Sequence, residues 1–152
     1  MTIRNRHHGY IQMRLGQIFY NWIDGQTPPR GKAVGGEAGF RLAPGSLVGV
    51  DVAYVSPEHE AATPANARVY EGPPVLVVEV LSPSDKQDDV DDKIETYLAA
   101  GVRHVWVVQP RRRTITVYRP DSPSRLFNVG DEIAAEPHLP GFRVAVATIF
   151  GV

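Results

Sequence analysis

The chain has 152 residues, 43% hydrophobic and 22% charged, with a net charge near −1; that length fits one domain, residues 1–152, with a core of its own. The balance excludes a strongly basic nucleic-acid protein, so any affinity for DNA or RNA needs local positive charge or a metal. The absence of cysteine excludes disulfides, thiolate zinc sites and cysteine nucleophiles.

The first residues are basic, but no apolar run of signal-peptide length follows them and no stretch approaches the ~18 apolar residues of a membrane span. A soluble, cytoplasmic protein is expected. Ile11, Leu15, Ile18, Phe19 and Trp22 share one helical face, which predicts a core-facing helix over 10–24, stopped by Asp24-Gly25 and Pro28-Pro29. Residues 35–42 and 47–55 read as strands joined by a turn at Ala43-Pro44-Gly45-Ser46. The Pro-, Ala- and Glu-rich stretch 56–74 reads as a long exposed connection.

Residues 75–81, VLVVEVL, form the strongest strand, apolar at both parities as in a central strand covered on both faces. A helix over 88–100 follows, with acids in its first turn and Gly101 as its cap, and then an apolar strand over 104–109. Strand, helix and strand make a βαβ unit with parallel strands. Arg111, Arg112 and Arg113 make a turn into a hairpin partner at 114–119, and a weaker strand signal falls at 143–147.

Two carboxylates break this apolar pattern: Glu79 within the central strand and Asp51 within LVGVDVAYV. A buried carboxylate costs several kcal/mol unless it is paired, protonated or bound to a metal. If the two strands are neighbours, both acids can point to one side. Lys93 falls at the edge of the helix face formed by Val90, Ile94 and Tyr97, placed either to reach along the sheet toward Glu79 or to extend into solvent. Carboxylates suit a hard cation such as Mg²⁺, which lowers the pKa of a bound water and neutralises phosphate charge, while a lysine orients that water or stabilises the transition state. Glu37, in a glycine-rich stretch, either joins the metal shell, directly or through water, or is an exposed turn acid.

Other signals are weaker. Gly31-Lys32-Ala33 fails as a phosphate loop, because the first glycine is misplaced and alanine stands where Ser or Thr is needed. His59-Glu60 has no second histidine at the zinc-protease spacing. The three arginines either contact phosphates or form a solvated turn. Ser82 lacks His-Asp support as a nucleophile.

Residues 74–85 (PVLVVEVLSPSD), Asp92-Lys93, residues 97–102 (YLAAGV) and residues 105–108 (VWVV) resemble the Uma2 family, formerly domain of unknown function 820, whose members are proposed to be restriction endonucleases. The resemblance runs from about Gly9 to Arg119. It implies an α/β, restriction-endonuclease-like fold of the PD-(D/E)XK superfamily: a mixed sheet flanked by helices. It makes Asp51 the motif aspartate, Glu79 the second acid and Glu37 an upstream acid, the three holding Mg²⁺ or Mn²⁺. Leu81 occupies the usual lysine position, and Lys93 matches a lysine moved to the following helix. Val50 stands where the family usually has proline, and Gln109 where it often has aspartate. The implied activity is hydrolysis of nucleic-acid phosphodiester bonds, with DNA as partner and a homodimer as the unit. The alternative is an inactive binding or regulatory module on the same fold, which the near-neutral charge favours. Glycoside hydrolysis by two acids is disfavoured by Lys93.

Overall fold

The computed structural model describes residues 5–43 and 45–152; residues 1–4, with Arg4 of the basic start, and Pro44 of the expected turn, lie outside them. Helix α1 (Arg6–Ile23) buries Ile11, Leu15, Phe19 and Ile23, with Ile18 and Trp22 packed alongside. It begins four residues before the expected start at residue 10, because the Asn5 side chain caps it by accepting from the His7 amide at 2.7 Å.

Strands β1 (Lys32–Ala43) and β2 (Ser46–Val55) form an antiparallel pair. The expected long loop is instead shaped by α2 (Pro57–Ala62), capped by Ser56, and by the two-residue β3 (Tyr70–Glu71), which pairs parallel with β1. Short elements of this size leave no periodicity to read. Strand β4 (Leu76–Val80), helix α3 (Gln87–Ala100) and strand β5 (His104–Gln109) form the expected βαβ unit, with β4 and β5 parallel. Gly101 ends α3 with φ 106°, a left-handed conformation that glycine adopts without a side-chain clash. Strands β6 (Thr114–Arg119) and β7 (Ser122–Phe127) extend the sheet to the order β3-β1-β2-β4-β5-β6-β7.

Beyond it, β8 (Glu132–Ala135) and β9 (Leu139–Ala145) make a separate two-stranded sheet, followed by α4 (Val146–Phe150). The strand expected at 143–147 thus starts earlier and turns helical at Val146. The sheet has apolar cover on both faces. Val78, Val80, Trp106 and Val108 pack toward α1 and the β8-β9 pair, where Phe19 and Phe142 stack at 5.1 Å. Val77, Val105 and Val107 pack toward Val90, Ile94 and Tyr97 of α3. This double cover accounts for the unbroken apolar run of β4 and leaves Glu79 in an apolar layer.

Candidate active site

Strands β2 and β4 are antiparallel neighbours paired as Val52↔Val78, Ala53↔Val77 and Tyr54↔Leu76. Continued by one residue, that register sets Asp51 opposite Glu79, so the two carboxylates share a side of the sheet. Both are buried, at 5% and 8% exposure. Regular pairing stops here, and the Asp51 side chain replaces a strand partner: its Oδ2 accepts from the Val80 amide at 2.8 Å. The Gln12 amide of α1 donates to the Asp51 carbonyl at 2.8 Å. Gly35 makes room for this, since a Cβ there would come within 2.9 Å of the same carbonyl.

The Tyr97 hydroxyl, on α3, donates to Glu79 Oε1. Burial, reinforced by the neighbouring Asp51 charge, pushes the Glu79 carboxyl up to about 8; the Tyr97 bond and the Lys93 charge pull the other way. Burial and the Glu79 carboxylate push the Tyr97 phenol far above its ordinary range, so it stays a donor.

Glu37 reaches the same place through a defect in the sheet. Gly35 pairs with Val52 and Ala38 with Val50, so Gly36 and Glu37 together face Asp51 in a β-bulge. Both bulge residues have positive φ, 62° and 66°. The Glu37 carboxylate lies over Gly49, where a Cβ would stand 2.7 Å from its Oε2. Glu37, Asp51, Glu79, Lys93 and Tyr97 line one cleft of about 90 Å³. Lys93 is exposed on α3 beside the buried Val90, Ile94 and Tyr97, at the edge of the helix face. All four residues singled out in the sequence therefore converge.

His8 and Gln12 were missed. His8 is buried on the core face of α1, with Nε2 3.3 Å from Asp51 Oδ1 yet not aligned for a hydrogen bond to any described residue. A polar residue one turn before Ile11 was the available signal. The periodicity of α3 marks Tyr97 as a core-facing residue and gives no sign of the partner its hydroxyl finds.

The donor set fits a hard divalent cation in its chemistry: two buried, adjacent carboxylates repel one another, and a cation relieves both the repulsion and the burial. Among the described residues no three His, Asp or Glu side chains form a group that could hold a metal ion. A pair of carboxylates suits an ion that keeps much of its water, such as Mg²⁺, with Glu37 able to act through that water.

A mixed sheet flanked by helices, with paired acids beside the βαβ unit, defines a nuclease-like α/β fold. The crystal structure described as "a putative nuclease belonging to DUF820" from Anabaena variabilis matches with a TM-score of 0.86 at 18% identity, over 99% of this chain and 83% of that one. The chain belongs to the Uma2 family, described as "Putative restriction endonuclease", whose sequence pattern matches residues 1–147. No curated protein matches it.

Proposed function

We propose that residues 1–152 form one metal-dependent endonuclease domain that hydrolyses phosphodiester bonds, with DNA as substrate. The observation that carries this reading is the burial of Asp51 and Glu79 side by side, an arrangement that raises the Glu79 carboxyl and that a cation would relieve. Asp51 and Glu79 would hold Mg²⁺ or Mn²⁺, with Glu37 contributing through water. The bound ion would lower the pKa of a water and neutralise charge on the phosphate. The Val80 amide fixes Asp51, and the Tyr97 hydroxyl fixes Glu79. Lys93, at the rim, supplies a cation for the phosphate oxygen that gains charge in the transition state.

The test is cleavage of mixed DNA and RNA with Mg²⁺ or Mn²⁺. Asp51→Asn, Glu79→Gln and Lys93→Ala should each lower the rate by at least about a hundredfold with the fold intact. Activity that survives EDTA would remove the metal. Exposed Asp88, Asp91 and Asp92 on α3 favour the inactive-module reading, because they repel a phosphate backbone. Metal binding without cleavage of any substrate would support it.

A further inference from the structure

Beside the carboxylate cleft runs a larger groove of about 980 Å³, which shares Leu81, Asp85 and Val90 with it. The first turns of α1, with His7 and Tyr10, form one wall, and the β5-β6 turn with Arg111, Arg112 and Arg113 forms another. All three arginines are exposed, and none forms an ion pair with a carboxylate among the described residues.

Arg113 has φ 54°. Glycine or asparagine suits that conformation better. Arginine is uncommon at such a turn position, which draws attention to its cation. Three unpaired guanidinium groups on one wall match a row of phosphates. Tyr10, also lining the groove and 44% exposed, holds the Arg14 guanidinium over its ring, 5.5 Å from the centroid, which brings a further cation close to the groove.

The positive surface is also narrow. Asp85 lies in both cavities and Asp89 in the cleft, while Asp88, Asp91 and Asp92 are exposed on the same helix. These acids oppose a duplex, which brings twice the phosphate charge, more strongly than a single strand.

We infer that this groove seats a single-stranded segment of nucleic acid, its phosphates on Arg111–Arg113, and leads that strand to the carboxylate cleft. The strand's destination rests on the nuclease reading; its binding does not.

The test is fluorescence polarisation in EDTA with a labelled single-stranded DNA oligonucleotide and the matching blunt duplex, on the full chain. The single strand should bind at least about tenfold more tightly than the duplex. Arg113→Gly should weaken single-strand binding severalfold, reduce its salt dependence by about 0.7 in log–log slope, and leave the melting temperature unchanged or higher. Duplex binding as tight as single-strand binding, or unchanged affinity in both Arg113→Gly and Arg111→Ala, overturns the groove assignment. Single-strand binding that depends on the arginines, in a protein that cleaves nothing with Mn²⁺, sinks the nuclease reading and leaves the groove standing. Cleavage of duplex at full rate by the arginine variants does the reverse.

Discussion

The hydroxyl of Tyr97, near the end of α3, donates to the carboxylate of Glu79 in the middle of the sheet. This bond ties the helix to the strand at the one buried acid whose carboxyl is most displaced, and it opposes that displacement. Tyr97→Phe keeps the packing and removes the donor. The metal-free protein should lose about 1 kcal/mol, the net worth of a buried hydrogen bond. Glu79 should hold its proton more tightly, so Mn²⁺ affinity measured by calorimetry should fall severalfold at pH 7 and recover toward wild type at pH 9. Equal deficits at both pH values would show that the bond does not act through the Glu79 proton.

Asp51 and Glu79 set the pH dependence of the metal-free protein. The Glu79 carboxyl, ordinarily near 4.5, is raised to about 8 in the fold. The native state therefore binds the proton more tightly than the unfolded chain does. Its contribution to stability is complete below about pH 4.5 and is lost as pH rises through 8. A divalent cation replaces the proton, so stabilisation by Mg²⁺ should grow across the same window and binding should release protons. Thermal melts from pH 5 to 9, with EDTA and with Mg²⁺, read this directly. Glu79→Gln should remove the decline between pH 7 and 9 from the EDTA profile and raise the melting temperature at pH 8 while ending cleavage. A wild-type profile in EDTA with no decline between pH 7 and 9 would place Glu79 outside this coupling.

Glu37 is held at φ 66° in the bulge that faces Asp51. A residue with a side chain pays roughly 1 kcal/mol for this conformation, and glycine does not. Glu37→Gly and Glu37→Ala both delete the carboxylate, so comparing them isolates the backbone. The glycine variant should be about 1 kcal/mol more stable than the alanine variant by urea unfolding. Both should lose cleavage to a similar degree. Full cleavage in either one would show that the strained conformation serves something other than the proposed reaction.

The contrast between Glu37 and its partners shows what the sequence could carry. Asp51 and Glu79 were visible because a carboxylate among valines is costly wherever the strand lies. The α3 face and the βαβ order were visible from periodicity and from Gly101. The bulge at Gly36-Glu37 was not, since it arises from a one-residue mismatch between β1 and β2 that exists only once they pair. His8 and Gln12 come to Asp51 from about forty positions away on α1, through packing of α1 on the sheet. β7 escaped notice because Ser122 through Leu126 are exposed at the sheet edge, leaving Phe127 alone to signal burial. β8 and β9 bury Ile133, Leu139, Phe142 and Val144, but a bulge between Ala134 and Ala135 interrupts the alternation.

His104, at the start of β5, lies 2.9 Å through Nε2 from Nδ1 of His138, so the two rings join the main sheet to the segment between β8 and β9. Burial, followed by the nearby Arg119, holds the His104 imidazole down at about 4; burial lowers His138 as well, with Arg103 and Arg119 adding to it and Asp121 opposing. A lowered histidine favours the neutral ring in the folded state. Its contribution is therefore complete above the ordinary value of 6.5 and is lost as pH falls from there toward 4. Glu79 acts in the opposite sense over part of this range, so the measurement belongs on the Glu79→Gln background. Urea unfolding of that variant should lose on the order of 2 kcal/mol between pH 7 and 4.5. Adding His104→Gln, which cannot take up a proton, should remove most of that loss at some cost in stability at pH 7. An acid loss unchanged by His104→Gln would assign it to other groups and leave the histidine contact as packing between the two sheets.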